Sequence, residues 1–339
     1  MSVYILGIES SCDDTSASVI CDGKVLSNEV NTQYIHTEYG GVVPELASRA
    51  HQQNIIPVVS EALKKAKISL SDLSAIAFTR GPGLLGSLLV GASFAKTLSI
   101  AASKPLIGVN HLHGHIFTHL LTNTHEQKAQ QKFPFLCLLV SGGHTQIIHV
   151  KSFTDFEIIG KTIDDAAGEA FDKCAKLLGL GYPGGQDIDK LSQNGRSDRF
   201  SFAKPKISGL DYSFSGIKTS FLYFLRDQIK NNKDFIKDNL NDLCASIQSE
   251  IIKILIGKLK KSVEMTGITE ISVSGGVSAN SCLRNRLCEI GKEKGWNVYL
   301  PDKKFTTDNA AMIALIGYYY FLNNKTDNLN ISVQARISI

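Results

Sequence analysis

The strongest constraint on the fold is a strand pattern that occurs twice along the chain. Near the amino terminus the apolar run YILGIESS is followed by a polar turn and two more β-rich segments that end near residue 30. The same order returns from Phe135, where PFLCLLV, the turn SGGHT, QIIHV and FEIIG follow one another. This repetition predicts an internally duplicated α/β protein with two lobes, for which 339 residues give enough length.

Helical periodicity and glycine turns separate the two strand patterns. We predict a helix over residues 45–67, a strand at AIAFT, a turn at RGPGLLGS, a helix to about Ser103 and a strand at PLIGV. A third strand and turn, EISVSGGVSAN, lead into a helix near Ser278. The polar stretches 123–132 and 187–199 are predicted to be loops.

Composition indicates a globular protein outside the membrane. Hydrophobic residues make up 43% and charged residues 20%, and no uninterrupted apolar run reaches the roughly 18 residues of a membrane span. The apolar start is short and is followed at once by acidic residues, unlike a secretory signal. Seven cysteines without a C-x-x-C pair fit reduced core thiols, so we expect a cytoplasmic location. The net charge of +4 is compatible with a polyanionic partner but does not require one.

Two glycine turns are candidates for binding phosphate. The run GPGLLGSL has P-loop glycine spacing, but Ser87 stands where the lysine is needed. Ser141-Gly142-Gly143 and Ser274-Gly275-Gly276 each follow an apolar strand, and backbone N–H groups at such turns bind anions. In a two-lobed protein this pattern is typical of the actin, Hsp70 and sugar-kinase superfamily. One turn would then hold phosphates and Gly275–Asn280 the adenosine, whereas by itself each could be only a tight turn.

A histidine cluster is the second chemical signal. Five of the nine histidines lie between His111 and His125. On a helix His111 and His115 share one face, as a metal site requires, while His113 projects elsewhere. A carboxylate is the expected third ligand, and Asp308 is the best candidate, placed in the first turn of a helix that Thr306 or Thr307 caps. The alternative is that Asp308 only complements the helix dipole.

These motifs together resemble the TsaD family of tRNA threonylcarbamoyltransferases, once labelled O-sialoglycoprotein endopeptidases. The matching stretches run in order from residue 7 to residue 314: GIESSCDDT, GGVVPELASRAH, GPGLLGSLLVG, NHLHGHI, LLVSGGHT, DDAAGEAFDKCAKLLGLGYPGG, YSFSGIKT, SGGVSANSCLR and TTDNAAMIA. They cover nearly the whole chain.

The resemblance implies a duplicated ASKHA fold with a nucleotide and metal cleft between the lobes. We place one lobe at residues 1–112 plus 313–339 and the other at 113–312. The implied reaction transfers the threonylcarbamoyl group from L-threonylcarbamoyl-AMP to N6 of the adenosine 3′ of the anticodon in tRNAs that read ANN codons, releasing AMP. The implied protein partners are TsaB and TsaE, together with a TsaC-type enzyme that makes the adenylate.

The resemblance also assigns site residues. The implied metal ligands are His111, His115 and Asp308, with iron(II) expected and zinc as the alternative. The implied substrate-binding residues form a loop and a nucleotide-side set: Val140, Ser141, Gly142, Gly143 and His144, with Asp172, Gly185, Asp189 and Asn280. The alternative for Asp172 and Asp189 is that each carboxylate caps a loop.

Asp13, in the amino-terminal turn, is predicted to assist proton removal or positioning, with a structural turn residue as the alternative. The chain departs from the family pattern at three positions: Asp14 replaces the usual glutamate, His113 replaces a glutamate between the two histidines, and Thr306 replaces a frequent cysteine. None of these changes removes a proposed ligand, although His113 adds a competing imidazole.

Three other functions remain open on the sequence. An ATP-dependent kinase of the same superfamily would share the cleft but would not need His111 and His115. A noncatalytic nucleotide-binding partner would not need the metal residues either. A metallo-endopeptidase is disfavoured because Leu112 stands where the zinc peptidase motif H-E-x-x-H has its glutamate base.

Overall fold

The computed structural model describes residues 2–121, 131–203 and 207–337. The ten strands are β1 Tyr4–Glu9, β2 Asp14–Cys21, β3 Lys24–Thr32, β4 Ala75–Gly81, β5 Leu106–Asn110, β6 Phe135–Val140, β7 Thr145–Val150, β8 Phe156–Lys161, β9 Glu270–Ser274 and β10 Asn297–Tyr299 among the described residues. The α-helices in the same ranges are α1 Pro44–Ala66, α2 Leu85–Ala102, α3 His111–Ile116, α4 Ala167–Leu177, α5 Gly185–Ser192, α6 Ser215–Asn231, α7 Phe235–Asp238, α8 Leu240–Thr266, α9 Ser281–Lys294 and α10 Ala310–Leu322.

The chain forms two compact units, each built on one five-stranded sheet. In unit 1 the strand order is β3-β2-β1-β4-β5, with β1, β2 and β3 antiparallel and β4 and β5 parallel to β1. In unit 2 the order β10-β9-β6-β7-β8 repeats this arrangement strand for strand. The predicted duplication is therefore confirmed at the level of topology.

The sheet of unit 1 is covered on both faces, and strand alternation assigns its residues to them. Leu6 and Ile8 of β1 belong to a buried apolar cluster with side chains of α1 and α2. Ile5, on the other face, lies against Gly317 of α10. Unit 2 has its own apolar core around the fully buried strand β6 and the long helix α8.

The unit boundaries lie at different positions from the predicted lobe boundaries. Unit 1 comprises Met1–Gln130 and Pro301–Ile339, and unit 2 comprises Gln131–Leu300, whereas the sequence placed the divisions after residues 112 and 312. The reason is packing: α3 contacts α10, and Gly114 lies against Met312 and Ile313. Both sides of that contact therefore belong to unit 1.

Local predictions agree with most elements and differ at some. The helix predicted over 45–67 corresponds to α1, and the strand at PLIGV to β5. The loop predicted over 187–199 is wrong in its first part, because α5 continues to Ser192. The helix predicted near Ser278 begins at Ser281, after a short 3-10 turn. Most of the stretch 123–132 lies outside the described residues.

Helix α2 is long and apolar enough, by length and composition alone, to cross a membrane. It has 18 residues and a mean hydropathy of 1.4. It packs against α1 and β4, with Leu88, Ala92 and Ala95 buried. A helix in the core of a globular protein passes the same test, and about a third of α2 is buried.

Candidate metal centre and nucleotide-side residues

Helix α3 brings His111 and His115 together. It begins directly after β5, and Asn110 caps it by accepting a hydrogen bond from the Leu112 N–H at 2.9 Å. One helical turn separates the two histidines, so their Nε2 atoms lie 3.1 Å apart. Both side chains are nearly buried, with 10% and 4% of the side-chain surface exposed.

Asp308 completes the group from a distant part of the sequence. Its Oδ1 lies 3.1 Å from Nε2 of His115 and 3.4 Å from Nε2 of His111. The prediction that Asp308 occupies the first helical turn is wrong, because α10 begins at Ala310 and Asn309 is its capping residue. Since Asp308 precedes the cap, its carboxylate does not satisfy the helix N–H groups and is available to the histidines.

A second carboxylate, Glu9, lies beside the cluster and was not among the predicted site residues. It ends β1, is completely buried, and its Oε2 accepts a hydrogen bond from Nδ1–H of His111 at 3.0 Å. The Ser11 N–H and the Thr79 hydroxyl donate to the same carboxylate at 2.5 and 2.6 Å. The sequence did carry a signal for Glu9, because an acidic residue ends an apolar strand. Burial of a carboxylate costs free energy unless the carboxylate has a partner.

The charges in the cluster shift one another's pKa values. Burial would lower the pKa of His111, but Glu9 and Asp308 outweigh it and raise that pKa well above its ordinary value. Burial would raise the pKa of Asp308, yet the two histidines hold it well below its usual range. The pKa of Glu9 is likewise lowered, because His111 outweighs complete burial. The cluster therefore favours a positive charge at its centre.

The donor set fits a divalent metal ion. Three ligands at about 2.0–2.2 Å from one ion lie roughly 3 Å from one another, and the distances here are 3.1, 3.1 and 3.4 Å. Glu9 fixes the proton of His111 on Nδ1, which leaves the Nε2 electron pair for a metal, as in carboxylate–histidine–metal triads. Nε2 of His115 is the atom directed at the cluster, at 3.1 Å from Oδ1 of Asp308, and its Nδ1 is buried with no hydrogen-bond partner among the described residues. No other group of this kind occurs among the described residues.

The other described members of the histidine cluster, His113 and His119, do not join the centre. As predicted, His113 projects elsewhere, and its Nδ1 lies 3.0 Å from the Tyr320 hydroxyl. Burial lowers the pKa of His113 to about 4, so this side chain is neutral at physiological pH. His119 is buried but is not part of the group, and His125 lies outside the described residues.

Asp13 lies in the turn between β1 and β2, and its backbone carbonyl accepts a hydrogen bond from the Gln33 N–H at 3.1 Å. This contact suits the structural alternative, and the proton-removal role stays a prediction.

Thr306 is buried and donates to the Lys303 carbonyl at 2.7 Å. Thr306, at a position where the family often has cysteine, therefore stabilises the turn that leads to Asp308.

In unit 2, residues 140–144 form the hairpin turn between β6 and β7. The Ser141 N–H donates to the His144 carbonyl at 2.8 Å. Gly142 and Gly143 are exposed, and a Cβ at either position would meet no atom within 4 Å. The turn thus presents accessible backbone, as a phosphate-binding loop requires.

The second glycine turn lies beside the first in the same unit, because β6 and β9 are parallel neighbours. Gly275 has φ +85°, and a Cβ there would lie 2.3 Å from the Val140 carbonyl oxygen. Gly168, in the first turn of α4, approaches the Ser141 carbonyl as closely, with 2.6 Å for a Cβ. The absence of side chains at both positions allows α4 and the 275 turn to pack directly against the 140–144 turn.

The four nucleotide-side residues lie around α5 and the start of α9. Oδ1 of Asp172 accepts from the N–H groups of Gly184 and Gly185 at 2.9 and 3.2 Å, and burial raises the pKa of Asp172. Asp189 accepts from the backbone N–H and the hydroxyl of Ser281 at 3.0 and 2.8 Å. Each carboxylate thus accepts hydrogen bonds at the start of a helix, α5 for Asp172 and α9 for Asp189, and their contact with a nucleotide stays a prediction.

Asn280 caps α9 by accepting from the Leu283 N–H at 3.0 Å and donates to Gln248 at 2.6 Å. Gln248, on α8, donates to Ser192 of α5 at 2.7 Å, and Ser192 donates to the Asp189 carbonyl. This network joins α5, α8 and α9. Gln248 was not predicted, because a lone glutamine in a helix carries no sequence signal.

Solved structures of low sequence identity share the fold of this chain. The chain resembles full-length HypF in its phosphate- and nucleotide-bound form, with a TM-score of 0.63 and 14% identity over 96% of this chain and 47% of HypF. It also resembles the activator of 2-hydroxyisocaproyl-CoA dehydratase from Clostridium difficile, with a TM-score of 0.50 and 13% identity over 96% and 99% of the two chains. At these identities the likeness concerns the fold alone, which is ASKHA-like.

Sequence relatives identify the family within that class. The model of the family TsaD, tRNA N6-adenosine threonylcarbamoyltransferase, matches residues 24–315. A protein of that name from Phocaeicola vulgatus is 57% identical over all 339 residues of this chain and all of its own. Another, from Thermodesulfovibrio yellowstonii, is 46% identical over 99% of this chain and 100% of its own. The chain belongs to the TsaD family.

Proposed function

We propose that this chain transfers the threonylcarbamoyl group from L-threonylcarbamoyl-AMP to N6 of the adenosine 3′ of the anticodon in tRNAs that read ANN codons. Its family is named for a transferase acting on tRNA adenosine, and full-length identity of 57% supports the same activity here. The observation that carries the proposal is the group formed by the buried His111 and His115 with the partly exposed Asp308, with Glu9 hydrogen-bonded to His111. An ASKHA kinase does not require such a group.

We propose iron(II) as the metal, with zinc as the alternative. Two imidazoles and one carboxylate are the ligand set of iron sites that keep positions open, and zinc accepts the same ligands. When bound, the ion would act as a Lewis acid that orients the donor and stabilises developing negative charge. Asp308, with 25% of its side chain exposed, marks the accessible side of the centre.

The donor's nucleotide part is assigned to unit 2. The open backbone at Gly142 and Gly143, together with Val140, Ser141 and His144, would bind the acyl-phosphate. Asp172, Gly185, Asp189 and Asn280 would contact the adenosine. The side chains of Asp172, Asp189 and Asn280 already accept hydrogen bonds from backbone N–H groups at the starts of α5 and α9. They would therefore hold these segments in shape as well as contact the nucleoside.

The reaction forms a bond between N6 and the carbonyl carbon of the carbamoyl group, and the bond from that carbon to the phosphate oxygen breaks. AMP leaves with the electron pair, and N6 loses one proton. Asp13 is proposed to accept or position this proton. The acceptor base lies in a single-stranded loop, so it can leave its stack without the melting of a helix.

We further propose that the chain works in the cytoplasm with TsaB and TsaE and receives its donor from a TsaC-type enzyme. This part rests on the family alone. The test is to incubate the chain with both partners, labelled threonylcarbamoyl-AMP and unmodified tRNA, and then to digest the tRNA for labelled nucleosides. Label is expected on the adenosine beside the anticodon.

Three variants make the test specific to the metal centre. His111→Ala and Asp308→Ala should abolish labelling, whereas His113→Asn, a histidine on the same helix outside the centre, should retain it. Folding of each variant is checked by thermal unfolding. A folded, metal-loaded wild-type sample that labels no tRNA but phosphorylates an acceptor with ATP would replace this proposal by the kinase alternative.

A further inference from the structure

A 3-10 turn after β3 exposes aromatic side chains in unit 1. We call residues Tyr34–Tyr39 the tyrosine turn. Tyr34 is 77% exposed, Tyr39 60% and Ile35 47%. Within the described ranges, neither tyrosine ring stacks on another ring or a cation, and neither hydroxyl makes a hydrogen bond. Large exposed rings grouped in this way mark binding surfaces more often than isolated exposed residues do.

Hydrogen bonds of the buried side chains His36 and Gln33 anchor the turn. His36 is 2% exposed, its Nε2–H donates to Gln33 Oε1 at 2.9 Å, and its Nδ1 accepts from the Val43 N–H at 3.3 Å. Gln33 in turn donates to the Ala47 carbonyl in α1 at 3.3 Å. These contacts fix the backbone of the turn while both tyrosine rings stay exposed. Preorganised aromatic residues bind with a smaller loss of conformational entropy.

The residue before the turn is hydrogen-bonded to the segment that contacts His111. The Gln33 N–H donates to the Asp13 carbonyl at 3.1 Å. Asp13 is two residues from Ser11, a span of at most about 8 Å. The Ser11 hydroxyl lies 3.2 Å from Nδ1 of His111. The tyrosine turn therefore begins at the edge of the segment that lines the centre.

We propose that Tyr34 and Tyr39 stack on unpaired nucleotides of the tRNA anticodon loop that flank the modified adenosine. This proposal rests on the proposed function, which places that adenosine at the metal centre. Proteins recognise single-stranded RNA largely by stacking bases on aromatic rings, and stacking tolerates different base sequences. Such tolerance suits an enzyme whose substrates differ around the modified base. The turn carries Glu38 and no lysine or arginine, so its contribution is stacking and not phosphate binding.

The test compares Tyr34→Ala, Tyr39→Ala and the double variant with the corresponding phenylalanine variants. Tyr223→Ala is the matched control, because Tyr223 is 59% exposed on α6 of unit 2. Transfer rates are measured against tRNA concentration with TsaB and TsaE present. The double alanine variant should raise KM for tRNA about tenfold with kcat within about twofold, and phenylalanine should restore KM. The control should behave as wild type.

A second measurement separates this proposal from the proposed function. Binding of an anticodon stem–loop RNA to the chain needs no transfer, and the double alanine variant should weaken it about tenfold at both low and high salt. Unchanged RNA binding and unchanged KM would overturn the proposal. So would a loss that vanishes at high salt, which indicates a phosphate contact, or a loss of TsaB or TsaE binding alone, which indicates a protein interface.

Discussion

Replacing Glu9 with glutamine tests whether the buried carboxylate sets the metal affinity of the centre. The carboxylate accepts three hydrogen bonds, from Ser11, Thr79 and His111. Glutamine has nearly the same volume but offers an NH2 group in place of one oxygen. If that group faces His111, Nδ1 must become the acceptor, and the proton moves to Nε2. The electron pair that the metal requires is then lost.

The magnitude follows from this exchange. Loss of a carboxylate partner behind a ligating histidine typically weakens metal binding by about 10- to 100-fold. That range corresponds to roughly 1.4 to 2.7 kcal/mol of binding free energy. Because Glu9 is completely buried, solvent cannot replace the lost hydrogen bond. We therefore expect a value toward the upper end of the range.

The assay is competition with a chromophoric chelator near neutral pH, with iron(II) under anaerobic conditions and with zinc. Thr79→Val is the matched control, since it removes one hydrogen bond to Glu9 and leaves the Glu9–His111 contact in place. The control should bind metal within about threefold of wild type. A folded Glu9→Gln variant whose metal dissociation constant stays within twofold of wild type would refute the reasoning.

Three further results are expected. Gly275→Ala should destabilise unit 2 by about 2 kcal/mol or more, because the added Cβ would lie 2.3 Å from the Val140 carbonyl oxygen and residue 275 has φ +85°. Calorimetry can measure this loss, and it should show a much smaller effect for Gly276→Ala, where a Cβ would meet no described atom within 4 Å. Burial opposes ionisation of Asp164, but hydrogen bonds from residues 213–215 lower its pKa, so its stabilisation is present above the ordinary aspartate pKa and is lost as pH falls through the lowered value. Asp164→Asn should therefore destabilise the protein at neutral pH and have a much smaller effect in acid, as denaturation at two pH values can check. Adding a divalent metal at about 100 times its dissociation constant should stabilise wild type by about 2.7 kcal/mol, and a His115→Ala variant that gains as much would contradict the ligand assignment.

Patterns with a short period could be predicted from the sequence. Alternating and continuous apolar runs indicated β1, β6 and β9, and the spacing of His111 and His115 on one helical face needed only the geometry of a single turn. The strand–turn–strand repetition likewise indicated the duplication that both sheets display. These features depend on local backbone geometry, which the chain specifies within a few residues.

The start of α10 shows where local signals compete. Thr306, Thr307 and Asn309 are all capping residue types, and the predicted cap was a threonine. In the structure Asn309 accepts the hydrogen bond from the Met312 N–H at 3.2 Å, and Thr306 instead donates to a carbonyl in the preceding turn. Tertiary packing of α10 on the sheet decided between candidates of nearly equal propensity.

The sequence by itself determined the family, the duplicated α/β class and the three candidate metal ligands. Only the tertiary structure decided that Glu9 stands behind His111 and that Gln248 links the nucleotide-side helices. It also decided that the two glycine turns lie side by side in unit 2. The physical reason is that a hydrogen bond between residues 9 and 111, or a parallel pairing of β6 with β9, joins segments more than a hundred residues apart. Such contacts leave no periodic trace in the chain, because they arise when separate elements bury their apolar faces against a common core.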